Sequence, residues 1–458
     1  MFGKTKTIHM VGIGGIGMSG IAEFLLNQGF IVSGSDIKKS SITNNLIKKG
    51  IKIIAGHNSK IISKRIDLVV FSSAISMDNP EIIAANEKNI PVVRRAEMLA
   101  EIMRMRYGIA ISGTHGKTTT TSLTGFLLRE ANLNPTIIVG GIVDNFDSNS
   151  LNGNGEYLVV EADEYDRSFL SLSPIITGIT NIELDHKDCY PNIESMRQAY
   201  IEFANKVPFF GTVVACLDDE GVQSILPKIK RNVITYGFSR QAEIRAENIK
   251  MRESETCFDL IYKGKNQGSV RIELLGKHMV LNSLLAVTIG CELGIPFKSI
   301  IQIMAKFKGV QRRLQKLAEV KGVIFFDDYA HHPTEIKAML SSLRSVYKNR
   351  IVALFQPHLF SRTRDFYSEF ARSFIDADKI FIAPIYQARE KPIDGISSKL
   401  IYDEAVKLGH RSVYHIDSNK KIVESVVENL REKDIFISFG AGDINSYNER
   451  IIEKYRKK

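Results

Sequence analysis

The chain has 458 residues, 44% hydrophobic and 24% charged, with 61 basic against 51 acidic side chains and a net charge of +10. That composition excludes a disordered chain, and the length predicts two to four domains. No apolar run approaches the ~18 residues of a spanning helix. The four cysteines (Cys189, Cys216, Cys257, Cys291) form no C-x-x-C pair, and no basic run interleaves with aromatic residues. These patterns argue against membrane insertion, a disulfide framework, a zinc site and nucleic acid as partner.

Lys4 and Lys6 precede an apolar stretch, as in a signal peptide, but five glycines fall between Gly12 and Gly20. That density suits a turn, and a cytosolic (cytoplasmic) chain is expected. Strand-like runs at 7–12, 31–34, 68–72 and 107–112 alternate with helical patterns such as 17–28 and 80–88. The alternation predicts an α/β protein with mostly parallel sheets. The same rhythm returns at 323–327, 351–355, 379–383, 412–416 and 434–439, with helical patterns after Pro333, Arg364, Ser397 and Ser418. Between them, 243–275 reads as short β-segments (257–262, 269–275), an antiparallel insertion or edge. Boundaries near 105 and at Gly309 divide the chain into 1–105, 106–309 and 310–458.

Gly12-x-Gly14-x-x-Gly17 lies where a strand should meet a helix, and Asp36 follows the next strand. Glycines there permit a tight turn and close approach of a pyrophosphate to the helix N-terminus, and an acidic residue ~20 positions on can accept from a ribose hydroxyl. A bare turn is the alternative, and the motif does not separate NAD from another pyrophosphate ligand. A second glycine loop, Gly113-Thr114-His115-Gly116-Lys117-Thr118-Thr119, follows the strand 109–112 and leads into a helix expected at 122–129. It is a shortened Walker A loop, with Ile111 at the first-glycine position. Backbone amides can cradle phosphate, Lys117 can reach the β/γ-phosphates and the Thr118 hydroxyl can bind Mg²⁺.

Two further strands end in acidic or polar runs. Glu161, at the end of 157–160, is well placed for magnesium, which prefers oxygen ligands. His186, beyond 175–180, reads either as a magnesium partner or as a hydrogen-bonding loop histidine. Arg312-Arg313 read either as solvated or as closing over an ATP phosphate. Polar clusters at 326–335, 355–364 and 438–443 follow strand ends and outline one cleft edge. His331-His332 lack a spaced third ligand, so no zinc site is expected.

Taken in order, HMVGIGGIGMSGIAE, ISGTHGKTTTT, EADEYDRSFL, TNIELDH, GVQRR, DDYAHHPTE, QPHLFSRTRDF and SFGAGDI resemble the Mur ligases over the whole chain. The resemblance implies a Rossmann-like UDP-sugar domain, a central P-loop ATPase-type α/β domain and a C-terminal Rossmann-like α/β domain. It also implies ATP-driven joining of L-alanine to UDP-N-acetylmuramate through an acyl phosphate. The first glycine loop then holds the UDP-sugar through Gly14, Gly15, Ile16, Gly17, Asp36, Ser72 and Ser73. ATP falls to 113–119, His278, Asn282, Arg313 and Asp328, and Mg²⁺ to Thr118, Glu161 and His186. Lys117, Glu161, His186 and Arg313 become the catalytic set, with Tyr329 and Arg362 near the amino acid. The family pattern has Asn where this chain has Met279, and some relatives have Arg in place of Leu359. GIGGIGMSGIAE is more similar to family members that add L-alanine than to those that attach a recycled tripeptide.

Overall fold

Strands buried on both faces need near-continuous apolar runs, and Ile8, Met10, Val11, Val69 and Val70 supply one such layer. The computed structural model describes residues 3–388 and 390–458. The backbone forms two compact units. The first runs through Ile249 and adds Cys257–Ile272 and Val280–Lys308; the second takes Lys250–Thr256, Glu273–Met279 and the chain from Gly309 onward.

In the first unit, Thr7–Val11 is the centre of a five-stranded parallel sheet. Ile31–Asp36 and Lys52–Ala55 lie on one side, Leu68–Phe71 and Val92–Arg94 on the other. Helices between the strands start at local signals. Ser40 accepts from the Thr43 amide to begin Ser41–Lys48, and Pro80 opens Pro80–Glu87 beneath the Asn79 cap.

A ten-stranded sheet makes up most of the rest of this unit, residues 250–256 of its outer strands excepted. Its central parallel strands run, in order, Asn232–Gly237, Thr212–Cys216, Ile176–Ile179, Tyr107–Ser112, Tyr157–Glu161 and Thr136–Val143. Ile244–Arg252, Glu255–Tyr262 and Lys265–Ile272 form the outer edge expected for 243–275. Two-residue links join each of these neighbours to the next, which excludes a parallel crossover. Lys263 and Gly264 both have positive φ (46° and 81°), the conformation a tight hairpin demands. The helix after the second glycine loop starts at Lys117, not at 122; its run of poor helix-forming threonines hides the first turn.

The helix Ile16–Asn27 ties the two sheets together. Asn149 donates to the Ile16 carbonyl (2.6 Å), and the Ser150 hydroxyl donates to Glu23 (2.7 Å). One apolar core then runs from Ile8 and Phe24 through Ile138 and Leu158 to Phe169 and Tyr200.

The second unit holds a six-stranded sheet, ordered Gln315–Val320, Val323–Asp328, Ile435–Phe439, Ile351–Phe355, Lys379–Ile382 and Val413–His415. Only the first strand is antiparallel to its neighbour. The helix predicted after Arg364 begins earlier, at Phe360. Leu359, with φ 72°, makes the break before it, and the arginines of the first turn mask the apolar pattern. The architecture is α/β in three domains, the first and last built on Rossmann-like parallel sheets. No helix among the described residues is long and apolar enough to cross a membrane.

A buried polar network underlies the first sheet. His9, wholly buried, bonds Glu81 through Nε2 at 3.0 Å. Glu81 also accepts from the Ser35 hydroxyl (2.7 Å) and the Asn58 amide (3.0 Å). Burial pushes the Glu81 carboxyl up, but the bonds from His9, Ser35 and Asn58 outweigh it and hold the pKa below the ordinary 4.5. The resulting stability is present above pH 4.5 and is lost as pH falls through the folded-state pKa. Glu81→Ala should cost about 3–5 kcal/mol, since it strands two buried partners, His9 and Ser35, and releases the Asn58 amide. Denaturant melts at pH 7 and pH 4 check both points: the deficit should shrink at the lower pH.

Candidate active site

The second glycine loop is shaped by what surrounds it. Gly113 has φ 136°, and a Cβ there would lie 1.9 Å from the Thr180 hydroxyl oxygen. Gly116 caps the helix Lys117–Glu130 with φ 84°, and its added Cβ would meet the Asn282 side-chain oxygen at 2.6 Å. Glycine is therefore required at both positions. The loop is stapled to the next strand end. Thr114 and His115 donate their amides to Asn181 (3.0 and 2.8 Å), and the Thr180 hydroxyl donates to the His115 carbonyl at 2.6 Å. The His115 ring meets the Glu183 carboxylate at 2.9 Å. The helix then offers its first-turn amides, around Thr118 and Thr119, which have no intrahelical acceptor.

Lys117 folds back across this loop. Its ammonium donates to the Gly113 and Thr114 carbonyls (2.7 and 3.2 Å) and to Glu164 at 2.7 Å. Burial opposes the charge, but the carboxylates of Glu164, Asp163 and Glu161 outweigh it and raise the Lys117 pKa. Glu164 is the group that motif reading missed. Its side chain is 1% exposed, and its Oε1 has no hydrogen-bond partner among the described residues. His186 brings Nε2 to 3.8 Å from that oxygen. It does so from a left-handed backbone (φ 52°) and packs edge-on against Tyr165 at 5.1 Å. Glu161, at the end of Tyr157–Glu161, accepts from the Gly140 amide at 2.8 Å. The structure thus gathers Lys117, Glu164 and His186, with Glu161 on the same strand end. The acidic run 161–166 disguised Glu164, because such runs are usually solvated.

The first glycine loop is held differently. The Asp36 carboxylate accepts from the Gly14 amide at 2.8 Å. Gly12 lies against Ser72, and Gly17 against the Arg95 guanidinium, at 3.2 Å for an added Cβ in each case; Gly15 and Ile16 lie between them. A cavity of ≈290 Å³ opens beside this loop, lined by Ser73, Arg94, Arg95, Asp163, Tyr165 and Ser168 among others. Arg94 also pairs with Asp166 at 2.9 Å. Neither arginine stood out in the sequence; the signal was two adjacent basic residues at the start of a helix. Residues 162–168 form a turn shared by both features: Glu164 faces Lys117, while Asp163, Tyr165, Asp166 and Ser168 face the cavity. Asp166 and Arg167 hold this turn with successive left-handed conformations, φ 55° and 54°.

In the second unit, Asp328, Phe355 and Phe439 sit in register at the carboxyl ends of three adjacent strands. This brings the three predicted polar clusters to one edge. Asp328 is buried and accepts from the Leu314 and Ala330 amides at 2.6 and 2.7 Å. Burial raises its pKa to about 7, against the pull of Arg313. Arg312 and Arg313 both lie over the Tyr329 ring, 4.9 and 5.2 Å from its centroid. Arg312 also donates to the Gly440 carbonyl at 2.6 Å. Arg362 is buried in the first turn of Phe360–Ser373. His278 belongs to this unit and Asn282 to the first. Burial depresses the His278 pKa to about 4. Met279, where the family pattern has Asn, is buried.

A parallel sheet with a lysine-bearing glycine loop at its strand ends, together with the first glycine loop and an arginine-lined cavity, defines a nucleotide-using α/β enzyme. Three family models match in succession: "Mur ligase family, catalytic domain" over 7–107, "Mur ligase middle domain" over 111–290 and "Mur ligase, glutamate ligase domain" over 312–442. The chain belongs to the Mur ligase family. It is 45% identical over 457 residues to the UDP-N-acetylmuramate–L-alanine ligase of Geotalea daltonii, covering 100% of both chains. It is 46% identical over 453 residues to that of Endomicrobium trichonymphae, covering 99% of each. Among solved structures, the UDP-N-acetylmuramate–alanine ligase MurC of Thermotoga maritima matches with TM-score 0.84 and 29% identity, over 98% of this chain and 99% of that one.

Glu164→Ala would leave the Lys117 ammonium without its buried counter-charge. The expected loss is about 3–5 kcal/mol, read as a fall in melting temperature without nucleotide. Glu164→Gln, which keeps the shape, should lose less.

Proposed function

We propose that this chain joins L-alanine to the carboxylate of UDP-N-acetylmuramate, giving UDP-N-acetylmuramoyl-L-alanine, ADP and phosphate in peptidoglycan precursor synthesis. The observation that carries the reading is the 45% identity, end to end, with a relative named for that reaction.

A carboxylate is a poor electrophile for an amine. Its oxygen attacks the γ-phosphorus of ATP, the bond to ADP breaks and an acyl phosphate forms. The alanine amine then attacks the acyl carbon, phosphate leaves and the amine gives up its proton. Phosphoryl transfer of this kind depends mainly on positioning and charge neutralisation.

On this reading, 1–105 binds the UDP-sugar, 106–309 the ATP, and 310–458 the amino acid. Gly14–Gly17 with Asp36, Ser72 and Ser73 receive the uridine diphosphate. The Arg94–Arg95 cavity takes the acidic sugar end. The amides of 113–119 cradle the ATP phosphates, and Lys117 exchanges Glu164 for the transferring phosphoryl group. Asn282, packed against Gly116, supports the same loop. By the family motifs, Arg313, Asp328 and His278 serve the nucleotide, with Tyr329 and Arg362 for alanine. Thr118, Glu161 and His186 would hold Mg²⁺: the hydroxyl and carboxylate are the oxygen donors a hard cation prefers, His186 is the less usual partner, and the buried Glu164 Oε1 has no hydrogen-bond partner among the described residues. When bound, the ion neutralises phosphate charge.

Phosphate release with ATP, UDP-N-acetylmuramate and single amino acids tests the reading. Release should need all three components and be fastest with L-alanine; turnover with a tripeptide instead of alanine would overturn it. Lys117→Ala should lower kcat about 10²-fold or more. Arg95→Ala should raise KM for the UDP-sugar about tenfold, a typical loss for one charged hydrogen bond, with a smaller change in kcat.

A further inference from the structure

The helix Ile193–Asn205 ends in a tight turn, 208–211, closed by the Gly211 amide donating to the Pro208 carbonyl at 3.0 Å. The turn cannot fold inward. A Cβ on Gly211 would lie 2.2 Å from the Ile175 carbonyl oxygen, so the backbone is already pressed against the neighbouring strand. Its two central residues, Phe209 and Phe210, therefore project into solvent, 90% and 65% exposed. Their rings meet each other edge to face, 5.3 Å apart. Two adjacent phenyl rings in water oppose the usual burial of such side chains, and a turn built to present them calls for a partner.

The chemistry beside them says which. Segments 205–211 and 226–232 carry Lys206, Lys228, Lys230 and Arg231 and no acidic residue, and the basic groups outnumber the two carboxylates at their border, Glu202 and Glu292, the latter bonded to Thr212 at 2.6 Å. The second segment is fixed against the first: the Lys230 amide donates to Asn205 at 2.8 Å, and Asn205 donates to the Lys228 carbonyl at 3.1 Å. The Arg231 guanidinium donates to the Val207 carbonyl. Lys206, Lys228 and Lys230 are exposed, and none of them forms an ion pair among the described residues. Half-exposed Tyr107 starts the strand two places along the same edge, about 10 Å away by strand spacing.

We infer that the turn 208–211 and its basic flank dock this chain onto an anionic lipid surface. Aromatic tips entering the headgroup region, ringed by lysines, are the combination that surface binds. A second copy fits poorly, because a two-fold contact would set four basic residues against their own images. The orientation is also permissive. The turn lies at the amino ends of the parallel strands, whereas the lysine-bearing loop lies at the carboxyl end of Tyr107–Ser112, roughly 20 Å away along the sheet. Docking would leave the phosphate-binding edge facing away from the lipid.

Sedimentation of the full chain with vesicles tests this. Phosphatidylcholine vesicles should retain little protein. Vesicles with about one third phosphatidylglycerol should retain much more, and high salt should reverse it. Phe209→Ser with Phe210→Ser should lower the partition coefficient about tenfold or more, and Lys228→Glu with Lys230→Glu about 30-fold or more. Both variants should keep wild-type melting and ligase turnover. The proposal fails if wild type ignores anionic vesicles or if the phenylalanine variant binds them equally well. It also fails if phenylalanine-dependent self-association appears in place of vesicle binding.

Discussion

Everything at the phosphate loop turns on one ion pair, Lys117 with Glu164. On the proposed function this lysine meets phosphate, and it must stay charged in a largely buried place before phosphate arrives. Water reaches it only in part, because most of its side chain is buried. Glu164 supplies the missing counter-charge, and the Gly113 and Thr114 carbonyls take the remaining protons of the ammonium. The arrangement is self-consistent only while lysine and carboxylate stay together. Moving the lysine to a nucleotide leaves Glu164 needing a new cation or donor, and its unpartnered oxygen beside His186 is where one would arrive.

Parallel strands make this concentration of charge possible. Tyr107–Ser112, Tyr157–Glu161 and Ile176–Ile179 are adjacent and point the same way, so residues far apart in sequence emerge together. The backbone pays for its own polar groups inside the sheet, which leaves the loop amides and side chains at the strand ends for ligands. The second unit repeats the device with Asp328, Phe355 and Phe439 in register.

Much of this was legible in the sequence. Apolar runs located most of the strands they marked to within a residue or two, because strands buried on both faces leave little choice of side chain; 269–275 proved to be Lys265–Ile272, and strands such as Lys52–Ala55, Thr136–Val143, Thr212–Cys216 and Asn232–Gly237 were not marked. The second glycine loop was visible because its backbone geometry excludes other residues at Gly113 and Gly116, and the first because Gly12 holds a left-handed turn at φ 76°. What escaped were groups whose role comes from long-range pairing. Glu164 looks like any member of an acidic run until the fold places Lys117 beside it. His9 and Glu81, 72 positions apart, form one buried network that neither segment announces. Arg94 and Arg95 look like an ordinary helix start, and only the turn at 162–168 across from them makes a cavity. The early start of the helix at Phe360 was hidden by the charge of its own first turn.

That turn at 162–168 has a consequence for chemistry directed at the protein. One wall of about seven residues separates the arginine-lined cavity from the lysine of the phosphate loop, and it supplies side chains to both. An inhibitor seated on Arg95 and Tyr165 would need only a short rigid arm past the turn to engage Lys117 as well. Because the second contact would then be intramolecular, its strength would be set by the arm's fit more than by either fragment's own affinity. Resistance by substitution would be costly, since a change in the left-handed pair Asp166 and Arg167 disturbs both walls at once.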